Sequence, residues 1–141
     1  MKKVKKFGIP AGPLLGKLQQ GKTIEHNGEK IMPDDVTYIE NGKIIAYITD
    51  TVLCDNCYKV AENADLLISE ATYSSKLVDK SEEYGHMTAK QAAQLANKSN
   101  AKQLVLIHFS ARYKDTQELE EDARNIFDNV ICAKDFMKVD L

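Results

Sequence analysis

The chain has 141 residues, with 19 Lys plus Arg against 21 Asp plus Glu, so its net charge of −2 gives no global attraction for a polyanion. A content of 43% apolar and 28% charged residues is typical of a globular protein and excludes wholesale disorder. The sequence contains neither a run of about 20 apolar residues nor a signal peptide, so we expect no membrane partner. Three cysteines without an export signal favour a reducing compartment, and we expect a cytoplasmic protein.

The first fifty residues are rich in glycine and proline and predict little regular structure beyond a helical turn over residues 14–20. Two dipeptides, Asn27-Gly28 and Asn41-Gly42, are strong hairpin signals because both residues tolerate the left-handed backbone of a tight turn. The apolar runs that flank them are predicted to pair as an antiparallel meander. These runs cover residues 30–32, 36–39 and 43–49.

From residue 50 onward, compact apolar runs alternate with longer periodic segments, which is typical of βα units that feed a buried sheet. The predicted strands cover residues 64–69, 102–107, 129–133 and 136–139. The predicted helices cover residues 54–63, 74–84, 88–99 and 115–127. The fold class is therefore α/β. No linker or repeat interrupts the chain, so we expect a single unit over residues 1–141.

Two of these helices begin with a pattern typical of a capping box. Thr88 is followed three residues later by Gln91, and Asp115 is followed by Glu118. In such a box the first side chain accepts a hydrogen bond from the backbone of the third helical residue, and the later side chain binds back. We therefore expect these helices to begin close to residues 88 and 115.

Three apolar runs end in residues that can carry chemistry: Asp50, Glu70 and His108. Ligands of open α/β sheets bind beyond the carboxyl ends of the strands, so these side chains are expected to meet at one rim of the sheet. Any one of them alone would be simply the first polar residue after a buried strand. The three together favour a functional site.

His86 lies between Gly85 and the predicted helix start at Thr88, in a loop whose glycine lets the backbone approach a ligand. Imidazole titrates near neutral pH, so His86 could serve as a general acid or orient a phosphate. The alternative is an exposed loop histidine without a role. His26, beside the first hairpin turn, is assigned no role.

Asp50 and His108 are suitable metal ligands by type, because carboxylate oxygen and imidazole nitrogen both bind Zn²⁺ or Mn²⁺. Two ligands are too few for a catalytic metal, and the sequence has no H-x-H-x-D-H cluster to add more. Cys54 and Cys57 have C-x-x-C spacing, which is compatible with half a zinc knuckle or a redox pair. A pair of inert, partly buried thiols is the plainer interpretation.

Five segments together resemble the C-terminal half of ribonuclease Z, the transfer-RNA 3′ processing endonuclease of the metallo-β-lactamase superfamily. They are Phe7–Leu18, Ala46–Thr51, Ser69–Tyr73, Gly85–Ala89 and Leu106–Tyr113. The resemblance covers essentially the whole chain. It implies a four-layer αββα sandwich, of which this chain is the C-terminal half. It also implies cleavage of precursor tRNA after the discriminator base, with two zinc ions that activate a water.

The resemblance also implies roles for particular residues. Asp50 matches the aspartate that bridges the two metals, and His108 matches a histidine on the second metal. Glu70 and His86 match paired catalytic residues, in which His86 assists the leaving oxygen or the scissile phosphate and Glu70 holds its ring. Arg112 resembles a substrate-binding position that contacts phosphate, although a solvated surface arginine is the alternative.

The N-terminal metal-binding half of the family, with its H-x-H-x-D-H motif, a later metal histidine and a tRNA-gripping arm, has no counterpart here. We therefore expect a fragment or split half that binds zinc weakly and has negligible nuclease activity alone. Half a sandwich exposes an apolar sheet face, so we expect a homo-oligomer such as a dimer, or a complementary N-terminal chain. The alternatives are another metallo-β-lactamase-fold hydrolase and a non-catalytic partner subunit.

Overall fold

A computed structural model describes residues 6–38 and 40–141. The chain forms two compact units, one within residues 1–42 and one over Lys43–Leu141. The division lies at residue 43, a few positions before the change of pattern near residue 50. A single domain over residues 1–141 remains a prediction.

The first unit is a small helical and hairpin unit. Its elements are α1 (Pro13–Gln19), β1 (Ile24–His26), β2 (Glu29–Ile31) and α2 (Pro33–Val36). Strands β1 and β2 are antiparallel, and Asn27 and Gly28 between them have φ values of 52° and 79°. These left-handed angles confirm the first predicted hairpin turn. The buried side chains of this unit are Ile9, Leu18, Ile24, Ile31 and Val36.

The second unit contains a four-stranded parallel sheet with strand order β3-β4-β5-β6. The strands are β3 (Ile45–Ile48), β4 (Leu66–Glu70), β5 (Leu104–Ile107) and β6 (Val130–Cys132). The helices are α3 (Asp55–Ala61), α4 (Val78–Glu83), α5 (Ala89–Lys98) and α6 (Gln117–Arg124). This arrangement confirms the α/β fold class. Among the described residues, no helix combines the length and apolar character that crossing a bilayer requires.

The second predicted hairpin, around Asn41-Gly42, is wrong. Val36, the first residue of the predicted run 36–39, ends helix α2, and residues 37 and 38 are not in a strand. The Asp35 carboxylate caps α2 by accepting a hydrogen bond of 2.9 Å from the Met32 N–H. Strand β3 pairs in parallel with β4, because a long buried apolar strand offers it a better partner than a short exposed run. Ile39, which belongs to the predicted run 36–39, lies outside the described residues.

Helix α5 begins where its capping box predicts. The Thr88 hydroxyl accepts a hydrogen bond from the Gln91 N–H at 3.2 Å, and the Gln91 side chain accepts one from the Thr88 N–H at 2.8 Å. The inner face of the helix is built almost entirely from alanine, and these residues are fully buried: Ala89, Ala92, Ala93 and Ala96. Small side chains allow the helix axis to lie close to its neighbours. This close packing fixes the helix start at Thr88 and therefore the position of the loop that precedes it.

Two predictions in the last third are wrong. No strand forms over residues 136–139, because Phe136 has a left-handed φ of 62° and a fully exposed side chain, so the chain turns away from an extended conformation there. The predicted capping box of Asp115 and Glu118 does not form, because Thr116 is the N-cap of helix α6 and no side chain caps it. Asp115 instead accepts a hydrogen bond of 3.0 Å from the nearby Gln117 N–H, which closes a turn before the helix.

The sheet face that carries alternate residues of β3 is apolar and open at its edge. Ile45 and Tyr47 are 55% and 60% exposed. Their register partners Leu66 and Ile68 lie on the same face, because paired residues of parallel strands point to one side. The exposed part of this face is the edge strand β3, whereas Leu66 is buried, and a second sheet layer over the face remains a prediction.

Asp65, at the entry to β4, ties two loops to the sheet. Its carboxylate accepts hydrogen bonds from Lys102 Nζ at 2.7 Å and from the Ile44 N–H at 2.9 Å. The Lys102 ammonium, followed by the Ile44 N–H, holds the pKa of this carboxyl below its ordinary value. The ionised form is therefore favoured in the folded state.

We expect Asp65→Asn to lower the free energy of unfolding at neutral pH and to have progressively less effect in acid. The pKa of Asp65 is lower in the folded than in the unfolded chain. Its stabilising contribution is thus complete above the unfolded-state pKa and is lost as the pH falls through the folded-state pKa. Urea denaturation of both proteins at several pH values measures this. A difference that stays constant into acid would contradict the assignment.

Candidate functional site

Four residues predicted from the sequence lie together at the carboxyl edge of the parallel sheet. Asp50 follows the end of β3, Glu70 is the last residue of β4, and His108 directly follows β5. His86 Nδ1 lies 3.0 Å from Glu70 Oε2 and 3.5 Å from Asp50 Oδ1, and the ring centres of His86 and His108 are 5.2 Å apart. The predicted convergence on one rim is therefore observed.

The chain turns sharply at both candidate metal ligands. Asp50 and His108 have left-handed φ values of 59° and 60°. Asp and His are among the side chains that adopt this region most readily, although it remains unfavourable compared with an extended backbone. The turn places each side chain directly at the end of its strand, so the strand ends set the spacing of the two ligands.

The Glu70 carboxylate is the centre of the site, and its side chain is fully buried. Oε1 accepts a hydrogen bond from the Thr51 N–H at 2.5 Å. Oε2 accepts from the Met87 N–H at 3.1 Å, from the Thr72 hydroxyl at 3.0 Å and from His86 Nδ1. A buried carboxylate is stable only when its oxygens are satisfied in this way. Glu70 thereby joins the loops that carry Asp50, His86 and His108.

This contact determines which nitrogen of His86 is available. An ionised carboxylate only accepts hydrogen bonds, so Nδ1 of His86 is protonated and donates a hydrogen bond to Glu70. Nε2 is left to bind a metal or to hold a second proton. The His86 side chain is 18% exposed, whereas that of Asp50 is 74% exposed. The histidine is thus rigidly placed, and the aspartate is open to solvent.

Thr72 is a site residue that the sequence analysis did not single out. Its hydroxyl lies 3.0 Å from Glu70 Oε2 and 3.0 Å from His108 Nδ1. The hydroxyl donates its hydrogen to the carboxylate, so it accepts from the Nδ1–H of His108 and leaves Nε2 of that ring as a metal ligand. The signal was present: Thr72 is two residues beyond Glu70, and alternate residues of an extended segment share one side.

We expect Thr72→Val to weaken metal binding about 10–100-fold, the usual cost of losing the partner that orients a ligating histidine. The substitution keeps the shape of the side chain but removes the bond to His108 and one donor to Glu70. Calorimetric titration with Zn²⁺ measures the change, and Thr23→Val, an exposed threonine of the first unit, is the matched control. Unchanged affinity in Thr72→Val would show that Thr72 does not orient His108.

The donor set at this rim fits a transition metal. Within the described residues, one group of potential ligands combines Asp50, His86 and His108, whose ligand atoms all lie within 4.8 Å of one another. Two imidazoles and a carboxylate are the donors that Zn²⁺ commonly takes. His86, predicted as an acid–base residue, is thus also near enough to act as a ligand.

Arg112 lies apart from these four residues. Its guanidinium carbon stands 5.1 Å from the ring centre of Tyr73, and its Nε donates to the Ser110 hydroxyl at 3.3 Å. Tyr73 in turn lies 6.2 Å from the His86 ring. Arg112 is exposed, and its substrate-binding role stays a prediction.

Comparison with known proteins agrees with this geometry. A family profile described as "Beta-lactamase superfamily domain" matches residues 35–109, which include Asp50, Glu70, His86 and His108. A ribonuclease Z from Archaeoglobus fulgidus is 41% identical over 139 residues, covering 97% of this chain and 45% of that protein. The chain therefore spans less than half the length of this curated relative.

Two crystal structures superpose on the chain. The short form of human tRNase Z has a TM-score of 0.53 with 39% identity, covering 68% of this chain and 32% of that one. The metallo-beta-lactamase fold protein YhfI from Bacillus subtilis has a TM-score of 0.58 with 30% identity, covering 64% and 36%. The rim of ligand-type residues, the parallel sheet and the matching profile lead to one conclusion: the chain belongs to the beta-lactamase superfamily, with ribonuclease Z proteins among its relatives.

Proposed function

We propose that this chain is the C-terminal half of a zinc-dependent endoribonuclease that removes the 3′ trailer of precursor tRNA. The observation that carries the proposal is the buried pair of Glu70 and His86, placed directly beside the metal-type ligands Asp50 and His108. The names of the curated relatives support the substrate class. We further propose that the protein works in the cytoplasm.

In this mechanism His86 supplies a proton. Glu70 accepts a hydrogen bond from the Nδ1–H and fixes the ring, so a proton held on Nε2 is directed to the oxygen that leaves the scissile phosphodiester. The protonated ring also stabilises negative charge that develops on the phosphate. Arg112 binds a neighbouring phosphate and helps to orient the RNA. These roles follow from the chemistry of the side chains and their positions.

Asp50 and His108 would hold the metal, through a carboxylate oxygen and an imidazole nitrogen. When bound, two zinc ions would supply a Lewis acid for the phosphate and would activate a water as the nucleophile. The left-handed turns at both residues set the direction in which their side chains leave the strands. The hydrogen bond between His108 Nδ1 and the Thr72 hydroxyl orients the ring and leaves Nε2 as the nitrogen that would ligate.

The site is incomplete within this chain, which has no H-x-H-x-D-H motif. We propose that an N-terminal half supplies those ligands and packs on the apolar sheet face at Ile45 and Tyr47. The chain spans less than half of its curated relative, so the missing length is large enough to form a second sheet layer. Alone, the chain would bind zinc weakly and have negligible nuclease activity. Homodimerisation through the same face is the competing arrangement.

The decisive experiment measures cleavage of a precursor tRNA with zinc. One sample is this chain alone, and the other is this chain joined to the preceding segment of the Archaeoglobus fulgidus relative. We expect cleavage at the 3′ trailer only with the joined protein. Rapid turnover by the chain alone would refute the incomplete site. A zinc-loaded joined protein that cleaves a generic phosphodiester but not the precursor would favour another hydrolase of the same fold.

Size-exclusion chromatography with light scattering tests the sheet face. A homodimer that the double substitution Ile45→Lys, Tyr47→Lys converts to a monomer would identify the face as a self-association surface. A monomeric wild-type chain that binds the separate N-terminal segment would support the complementary half. A wild-type chain that neither dimerises nor binds the N-terminal segment would contradict both arrangements.

A further inference from the structure

Cys54 and Cys57 form a pair of thiols outside the proposed catalytic site. Their Sγ atoms lie 3.6 Å apart, and the Cys57 N–H donates to the Cys54 carbonyl at 2.9 Å, which closes the turn that brings them together. Cys54 has an extended backbone just before α3, and Cys57 lies in its first turn. A disulfide requires an S–S distance of about 2.05 Å. Side-chain rotations that bring the two sulfurs about 1.5 Å closer would therefore allow the bond to form.

The two thiols have different surroundings. Cys54 is exposed, whereas Cys57 is buried and its thiol donates to the Val52 carbonyl at 3.7 Å. A reagent can therefore reach the Cys54 sulfur, while the Cys57 sulfur lies buried next to it and can react only with Cys54. Cys132, the third cysteine, is also buried, and its thiol instead contacts the Thr116 carbonyl at 3.8 Å. Cys132 therefore serves as an internal reference.

The acidities of the three thiols follow the same division. A hydrogen bond from the Cys57 N–H lowers the pKa of Cys54. Burial raises the pKa of Cys57, and burial raises the pKa of Cys132 to about 11. Thiolate is the reactive form of cysteine, so Cys54 is the nucleophile of the three.

We propose that Cys54 and Cys57 are a thiol–disulfide exchange site that reacts with small-molecule aliphatic disulfides. Neither the family relationship nor the proposed nuclease chemistry requires this reactivity. In a reducing compartment such a disulfide is transient and reports on the redox state. The pair lies four residues beyond Asp50, in the segment that leads from the candidate metal ligand into α3.

The reaction has two balanced steps. Cys54 thiolate attacks one sulfur of RS–SR, a Cys54–SR bond forms, and the expelled RS⁻ takes up a proton to become RSH. Cys57 then loses its proton to water and attacks Cys54 Sγ. The Cys54–Cys57 bond forms and the second RS⁻ leaves as RSH. Two electrons pass from the dithiol to the small disulfide, and a dithiol reductant reverses the sequence.

Oxidised glutathione is the probe. The reduced chain is incubated with it, remaining thiols are alkylated, and the peptides are analysed by mass spectrometry. We expect the wild-type chain to form a disulfide between residues 54 and 57 without an accumulating glutathione adduct. Cys57→Ser should trap a stable adduct on Cys54, since the second step is blocked. Cys54→Ser should react at least about tenfold more slowly, because it retains only high-pKa thiols.

Cys132→Ser is the matched control and should behave as the wild type. Circular dichroism and urea denaturation establish that each variant is folded, and Cys57→Ala replaces Cys57→Ser if serine is not tolerated in the buried position. A stable adduct on Cys54 of the wild-type chain, or equal rates for wild type and Cys54→Ser, would overturn the proposal. Oxidation that is equally fast in the urea-unfolded chain would also overturn it, because the fold would then contribute nothing.

Discussion

Replacing Glu70 by alanine is expected to lower the free energy of unfolding by about 3–5 kcal/mol, the range for buried groups whose loss leaves a cavity and unpaired donors. Four donors converge on this carboxylate: the Thr51 and Met87 N–H groups, the Thr72 hydroxyl and His86 Nδ1. Alanine would leave the two backbone N–H groups without acceptors inside the protein. Urea denaturation, followed by circular dichroism, measures the loss.

Two further variants separate charge from shape. Glu70→Gln retains the size of the side chain, but one of its two terminal groups becomes a donor that faces existing donors, so we expect a smaller loss of about 1–3 kcal/mol. Asp79→Ala removes an exposed carboxylate and should change stability by no more than about 0.5 kcal/mol. If Glu70→Ala were no more destabilising than Asp79→Ala, Glu70 would not be the centre of the site.

Replacing His86 by glutamine is expected to slow precursor cleavage by about 10²–10⁴-fold, the usual contribution of a positioned general acid. The measurement uses this chain joined to the N-terminal segment described above, under single-turnover conditions. Zinc affinity, measured separately by calorimetry, should change little because Asp50 and His108 remain. His26→Gln, which alters a histidine of the first unit, is the matched control and should leave both quantities unchanged.

The same variant decides between the two roles that the geometry allows for His86. One ring nitrogen of His86 lies within 4.8 Å of the ligand atoms of Asp50 and His108, so the distances also allow His86 to be a third metal ligand. In that case zinc affinity would fall together with the rate. A loss of affinity in His86→Gln comparable to that of His108→Ala would therefore contradict the proposed proton donor.

The sequence predicts the positions of the chemistry better than the connections between elements. Asp50, Glu70 and His108 could be located because each ends an apolar run, and parallel strands deliver their carboxyl ends to one edge. The start of α5 could be located because the Thr88 and Gln91 pair is a local signal, which tertiary contacts did not override. In both cases the relevant physics lies within a few residues.

The failures have non-local causes. The run 43–49 was assigned to a hairpin, yet β3 pairs with β4, a choice that depends on burial elsewhere in the chain. Residues 136–139 have the composition of a strand but no neighbour to complete one. Thr72 was missed because a hydroxyl gains importance only when two partners, here Glu70 and His108, arrive from different strands. Such triads are visible only in three dimensions.

The alanine face of α5 sets the distance between this helix and the sheet, and so the position of the loop that carries His86. A larger side chain at Ala93, for example, would push the helix outward and would move the loop that is covalently joined to it at Thr88. It would also disturb the contact of the helix start with the segment after β4, where the Ala89 N–H donates to the Tyr73 carbonyl at 2.8 Å. The geometry of the candidate site therefore depends partly on the side-chain volumes on the buried face of α5. Redesign of this chain should leave that face untouched and vary the solvent side of α5 instead.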